Sequence, residues 1–253
     1  MSGELETALD RLREWLADAR AVVGFTGAGV STESGVPDFR SPDSPWMRNP
    51  PIPFREYLES AEARREAWRR KFVMDDIYRG AQPSRGHAFV AGMIRRGRMP
   101  AVITQNIDGL HQAAGAPDDR VIELHGNGGY AKCLACGARH EIAEIRDHFE
   151  RWGDPPDCRD CGGVVKSATV SFGQPLPQGA LRLAMGLAHG ADVFLVMGSS
   201  LAVAPAAQLP VVAKRNGARL VIVNREPTPL DAIADLAVRT EIGPMMDRLA
   251  RGE

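Results

Sequence analysis

The feature that most limits how this chain can fold is a series of short, unbroken apolar runs that each end in small or polar residues. Residues 21–27 (AVVGFTG), 101–106 (AVITQN), 192–200 (DVFLVMGSS) and 219–226 (RLVIVNRE) show no polar alternation, and 120–126 (RVIELHG) is a further strand-like piece. A strand that is apolar on both faces has to be covered on both faces, which is the situation of a parallel sheet flanked by helices. Helical patterns fall between the runs. Leu5, Leu9, Leu12 and Leu16 recur at helical spacing within 4–19, 54–72 reads as a charged helix or helix pair, and 87–94, 180–191 and 207–218 are helical. The alternation predicts an α/β fold built on a parallel sheet. With 44% hydrophobic and 25% charged residues the chain can bury a sizeable core. Five prolines between residues 42 and 53 predict an irregular loop there.

The four cysteines form two Cys-x-x-Cys knuckles, Cys133/Cys136 and Cys158/Cys161, with 21 residues between them. The charged, helix-patterned N-terminus is unlike a signal peptide, which predicts a cytoplasmic protein whose thiols stay reduced. Each knuckle offers two thiolates to one side of a metal, so the set predicts a tetrahedral structural zinc with no open position. The other reading is one redox pair plus two incidental thiols. Residues 131–165 therefore read as a zinc-binding insert with little apolar periodicity of its own.

Ligands of parallel sheets bind beyond the carboxyl ends of the strands. Four such ends are polar or small: Gly27-Ala28-Gly29-Val30-Ser31, Thr104-Gln105-Asn106-Ile107-Asp108, Gly198-Ser199-Ser200 and Asn224-Arg225-Glu226. Gly27 and Gly29 suit a turn whose backbone N–H groups approach a pyrophosphate at a helix N-terminus. The other ends offer hydroxyls, amides and carboxylates to ribose and amide groups. A plain dehydrogenase is disfavoured. Thr32 occupies the third glycine position of the dinucleotide fingerprint, and the acid expected about 20 residues on falls in the proline-rich loop.

The residues GAGVSTESGVPDFRS (27–41), TQNIDGLH (104–111) and ELHGN (123–127), with the four-cysteine insert, together resemble the sirtuin family, from about residue 21 to the C-terminus. Sirtuins are NAD-dependent protein lysine deacylases. The resemblance implies a Rossmann-like NAD-binding domain (1–40, 84–130 and 166–253), a helical and cofactor-loop module (41–83) and the zinc insert, with NAD and an acyl-lysine peptide between them. It implies His125 as general base, acting on a ribose hydroxyl after the acyl oxygen has displaced nicotinamide, and Asn106 as the residue positioning a ribose hydroxyl or water. In the same way it assigns Asp108 and Ile107 to the nicotinamide end, Gln105 to the ribose, Arg40 to phosphate, Phe39 to shielding the sugar, and Gly198, Ser199, Asn224 and Ile242 to the adenosine end. Asp38 is placed beside the cofactor or, alternatively, serves as a turn or cap residue. Val170, Phe172 and Gly173 match the substrate-binding strand, to which a peptide adds as a further strand. His87, His111 and His140 read as structural.

Departures from the family pattern bear on the acyl group. Gln174 stands where glutamate is common, and Ser167-Ala168 replaces a proline-containing pair. Relatives that remove succinyl or malonyl groups carry a Tyr-x-x-Arg pair where this chain has Ala67-Trp68-Arg69-Arg70. Desolvating an acyl carboxylate without a partner is costly, so acetyl or longer uncharged groups are expected. The 51–72 stretch resembles the branch with weak deacetylase activity, which keeps mono-ADP-ribosyl transfer open. A non-catalytic NAD-sensing zinc-ribbon protein is the alternative from another class. Nucleic acid is disfavoured by a net charge of −1 and by four arginines against seven acids within 133–161. No run of about 18 apolar residues suggests a membrane span.

Overall fold

The protein is described from a computed structural model covering residues 2–38, 41 and 43–251. Helix α1 (Ser2–Asp18) buries Leu9, Leu12 and Leu16 and leads into β1 (Val22–Thr26), every residue of which is buried. Three helices follow: α2 (Pro45–Arg48), α3 (Phe54–Glu59) and α4 (Ala61–Ile77). The first lies inside the stretch expected to be irregular. Ser44 Oγ accepts from the Trp46 N–H, and Pro45 occupies the first turn, where its missing N–H costs nothing. Next come α5 (Arg85–Arg95), β2 (Val102–Thr104), α6 (Leu110–Ala113) and β3 (Val121–Glu123).

The chain then leaves for a second sheet. This contains β4 (Gly126–Cys133), β5 (Arg139–Glu141) and, after α7 (Ile142–Trp152), β6 (Val165–Thr169). It returns through α8 (Gln178–Gly190), β7 (Val193–Met197), α9 (Leu209–Arg215), β8 (Arg219–Val223), β9 (Leu236–Val238) and α10 (Ile242–Ala250). The large sheet is parallel throughout, in the order β3-β2-β1-β7-β8-β9. Successive residues of β7 face opposite cores: Val193, Leu195 and Met197 pack with α1, α5 and α10, while Phe194 and Val196 pack with α8 and α9. Both faces are covered, as the apolar runs require. The order reverses between β1 and β7, so the crevice for a ligand opens beyond their carboxyl ends.

The small sheet is antiparallel, in the order β5-β4-β6. Its core joins Ala131, Cys133, Ile145, Cys158 and Val165 to Trp68 and Phe72 of α4. The Phe72 ring lies 5.6 Å from Trp68 and 5.5 Å from Phe149. Helix α4 and the cysteine segment, distant in sequence, thus share one apolar core.

Two expectations need correction. The turn after β1 does not open an α-helix: 3-10 turns at Ala28–Val30 and Thr32–Ser34 follow it, so no helix N-terminus faces the crevice there. The insert also does have helical periodicity, since Ile142, Ile145 and Phe149 form the apolar stripe of α7 among charged residues.

Candidate active site

A cavity of about 960 Å³ lies against the carboxyl ends of β1, β2, β7 and β8. Its lining brings together Gly27, Ala28, Gly29, Ser31, Asp38, Gln105, Asn106, Ile107, Asp108, His125, Gly198, Ser199, Ser200, Asn224, Arg225, Glu226 and Ile242. Val170, Phe172 and Gly173 line it from the segment after β6. Phe39 and Arg40 lie outside the described residues. The structure therefore gathers the other residues singled out from the strand ends and the substrate segment into one space, except Val30 and Thr104, which are buried and do not line it.

The glycines at the end of β1 have a more local purpose than ligand approach. The Gly27 N–H donates to the Met197 carbonyl (3.1 Å) and the Gly29 N–H to the Gly198 carbonyl (2.8 Å). A Cβ on Gly29 would stand 2.7 Å from Gly198 Cα, and one on Gly198, at φ +65°, 2.4 Å from the Val30 nitrogen. The two turns at the crevice touch backbone to backbone, which only glycine permits. Asp38 acts as a cap here: its carboxylate accepts from the Ser41 N–H (2.7 Å) and hydroxyl (2.6 Å), and its carbonyl accepts from Ser44 Oγ.

Beneath the turn is a closed polar network. Ser31 Oγ donates to Asp108 Oδ2 (2.7 Å) and accepts from the Asn106 amide (3.0 Å), which also donates to the Gly27 carbonyl (3.2 Å). The Leu110 N–H holds Asp108 Oδ1 (3.0 Å). Both amide hydrogens of Asn106 are thereby occupied and its carbonyl oxygen is left for a ligand hydroxyl. Behind Ser31 stand His87 and His111, edge to face at 4.8 Å. His87 Nδ1 accepts from the Ser84 N–H (3.1 Å), so its proton sits on Nε2, 3.4 Å from Ser31 Oγ. Burial pushes His87 down to about 4 and His111 down to about 3. These rings are neutral supports. They are structural, as expected, but the groups they support were not evident from the sequence, because these lie far along the chain. The one local signal was Ser84 three residues before His87, the spacing of a capping box.

His125 occupies the junction between the two sheets. Its Nδ1–H donates to the Gln105 carbonyl (3.0 Å), which fixes the tautomer and leaves Nε2 as the basic nitrogen of a side chain on the cavity wall. Burial holds its pKa below the ordinary imidazole value of 6.5, opposed by the Gln105 carbonyl. Gln105 is itself pinned, its N–H on the Thr26 carbonyl (2.9 Å) and its side-chain oxygen accepting from Ser199 Oγ (2.6 Å).

Another part of the wall holds Ala67 and Trp68, expected at the acyl group, with Tyr57 and Lys166, which were not anticipated. Tyr57 donates its phenol proton to the Val165 carbonyl (2.7 Å). Arg69 is exposed and forked onto Glu66 (2.7 Å), while Arg70 is tied to Glu66 (2.6 Å) and the Pro50 carbonyl. The Arg69 hydrogen bond, opposed by partial desolvation and aided by Arg70, holds Glu66 down at about 2. Neither arginine is without a carboxylate. Gln174 closes a turn around Gly173 (φ +83°): its side-chain oxygen accepts from the Ser171 N–H (3.1 Å), which a glutamate would do equally well.

The cysteines converge. All four Sγ atoms lie within 4.8 Å of one another, with Cys133–Cys161 at 3.5 Å and Cys136–Cys158 at 3.6 Å. Those separations are far too long for disulfides and close to the ~3.8 Å edge of a tetrahedron with ~2.3 Å zinc–sulfur bonds. The Cys136 N–H directed at Cys133 brings that thiol down to about 6. Gly163 lacks a side chain where a Cβ would stand 3.0 Å from Cys133 Sγ. The donor set fits zinc, and the reading as a redox pair with two stray thiols does not fit four converging sulfurs.

Comparison with known proteins agrees with this site. Residues 27–205 match the model of the Sir2 family. A protein of Rhodopseudomonas palustris named NAD-dependent protein deacetylase is 52% identical, with 94% of each chain covered. NAD-dependent protein deacetylase 1 of Bradyrhizobium diazoefficiens is 50% identical over 96% of this chain and 95% of its own. Among solved structures, "Sir2-p53 peptide-NAD+" superposes with a TM-score of 0.85 at 37% identity, covering 96% of this chain and 97% of that one. "Structure of Sir2Tm bound to a propionylated peptide" gives 0.85 at 36%, covering 96% and 98%. The chain belongs to the Sir2 family, the sirtuins.

Proposed function

We propose that this sirtuin removes acyl groups from protein lysine side chains at the expense of NAD, and that His125 is its general base. The observation that carries the reading is the locked His125 tautomer, with its basic nitrogen in a cavity that also holds the Ser31–Asn106–Asp108 network. Bound NAD supplies an electrophilic ribose carbon and nicotinamide as a leaving group. Gln105, Ser199 and Asn224 stand at strand ends suited to its ribose and adenosine groups, and Asp108 offers a carboxylate to its carboxamide. Asn106 presents its carbonyl oxygen to a hydroxyl. His125 Nε2 accepts the proton that must leave a ribose hydroxyl before it can attack, and the Gln105 carbonyl stabilises the ring as it becomes charged. The segment 170–173 receives the peptide as an added strand. The four cysteines hold a structural zinc with no coordination position left for chemistry. No helix among the described residues is long and apolar enough to cross a membrane. We place the enzyme in the cytoplasm.

The acyl group is acetyl or a longer uncharged chain. The corner formed by Tyr57, Ala67 and Trp68 offers aromatic and aliphatic surface, and Arg69 and Arg70 are both held on the one carboxylate of Glu66. The test is kcat/KM for acetyl-, propionyl-, octanoyl- and succinyl-lysine in one peptide, with nicotinamide and O-acyl-ADP-ribose followed by mass spectrometry. Aliphatic acyls are expected to exceed succinyl at least tenfold. Succinyl in the lead would overturn the acyl assignment, and NAD left intact with every peptide would overturn the deacylase reading.

A further inference from the structure

Lys166 is the most costly residue in the cavity wall that the chemistry above does not use. It is 4% exposed, and among the described residues no carboxylate pairs with it. Burial alone brings it down to about 8. Its ammonium donates to the Thr169 carbonyl (2.5 Å) and the Ser167 carbonyl (3.3 Å). A buried ammonium without a counter-charge is expensive, and a strand that merely closes a core would carry an apolar side chain at this point.

The reason for the lysine lies in the strand register. β4 and β6 pair regularly from Cys133↔Val165 to Ala131↔Ser167. The ladder then slips, and Gly126 comes opposite Thr169. Regular pairing therefore breaks where β6 approaches the catalytic histidine. Immediately beyond the break the Val170 N–H donates to the His125 carbonyl (2.8 Å). Lys166 thus holds Thr169, and the next residue holds the backbone of His125.

We propose that Lys166 is a positioning residue for peptide binding: its ammonium clamps the carbonyls of Ser167 and Thr169 and so sets the height and direction at which segment 170–173 meets the substrate backbone. The proposal rests on the assignment of 170–173 as the peptide-binding strand. An added strand needs its partner's N–H and C=O groups in register to within a few tenths of an ångström. At a slipped ladder the side-chain clamp supplies the order that cross-strand hydrogen bonds supply elsewhere.

Lys166→Met, Lys166→Gln and Lys166→Arg, each checked for zinc content and melting temperature, are compared with the parent protein in steady-state kinetics on acetyl- and succinyl-lysine peptides. Removing a charged donor from two carbonyls is expected to raise peptide KM about tenfold in Lys166→Met. The KM for NAD should stay within twofold, kcat within about threefold, and the acetyl-to-succinyl ratio should not move. Lys166→Arg, which keeps the charge and the donors, recovers most of the loss. Lys166→Gln, which keeps N–H donors without charge, falls between and serves as the deciding variant if Lys166→Met does not fold. Phe172→Ala separates the two layers of the argument. If it leaves peptide KM unchanged, the strand assignment fails. If it raises peptide KM while both uncharged Lys166 variants do not, the clamp fails. A selective loss of succinyl turnover would also overturn the clamp, since Lys166 would then be meeting the acyl group itself.

Discussion

As the proposed general base His125 has two separable requirements, a bare Nε2 and a ring held still, and the Gln105 carbonyl meets both. His125→Ala is expected to lower deacylation at least ~100-fold, the lower end for general-base help, with NAD affinity changed less than about threefold by calorimetry. More than a tenth of parent turnover would remove His125 from that role. The place of this residue on the cavity wall was legible in the sequence because a histidine between Leu124 and Gly126 at a strand end sits within a recognisable motif. His87 and His111 were read as structural, but which groups they support was not legible, because a supporting imidazole is defined by what encloses it. Their pKa values of about 4 and 3 lie below the unfolded value of 6.5. The unfolded chain therefore binds more protons below 6.5, and the stability held by the neutral rings is complete above that pH and lost as pH falls toward 4 and 3. Urea unfolding should show ΔG dropping by up to ~1.4 kcal/mol per pH unit per histidine between pH 6 and 4.5. A flat profile there would mean these rings titrate normally.

At the scale of elements, the long apolar strands and amphipathic helices were readable because periodicity and burial agree in them. The misses are short or depend on contact: α2 is four residues long, β9 is three, and the 3-10 turns after β1 replace a helix because that segment packs on the Gly198 turn. The junction of β3 and β4 shows the same dependence. The run 120–126 looks continuous, but it passes from one sheet to the other around Gly126, whose φ is +74° and whose Cβ position lies 2.0 Å from the Ala168 carbonyl oxygen. Gly126→Ala combines a left-handed backbone with a backbone collision, a cost of roughly 3–5 kcal/mol. Gly97→Ala is the control: φ is +71° with nothing within 4 Å, so it bears only the ~1–2 kcal/mol backbone term. Thermal melts should separate the two variants clearly. Equal destabilisation would mean the β4–β6 crossing relaxes freely.

For the molecule as a whole, the sequence marked out a large sheet and a zinc insert, but it could not show that α4 packs on the insert. That contact joins segments some 60 residues apart, and α4 is so highly charged that its apolar face of Trp68 and Phe72 is easily overlooked. Because the thiolates can hold their metal together only when folded, zinc binding and folding of this module are coupled. Elemental analysis should find close to one zinc per chain. Stripping it should unfold the small sheet, abolish peptide turnover and leave the large parallel sheet's far-ultraviolet signal largely in place. Metal-free protein with full activity and unchanged melting would contradict this.

Trp68 belongs to two places at once: it packs in the core that contains Cys133 and Cys158, and it lines the cavity corner assigned to the acyl chain. Occupancy of that corner and retention of the ion are then linked equilibria, and linkage is reciprocal. A saturating acyl-lysine peptide should tighten zinc binding in equilibrium competition with a chelator, and by the same factor the metal-depleted form should bind that peptide more weakly. Long acyl chains, which reach furthest toward the indole, should protect the ion more than acetyl does. Equilibrium competition with a chelator would thus measure how deep each acyl group sits, with no turnover required.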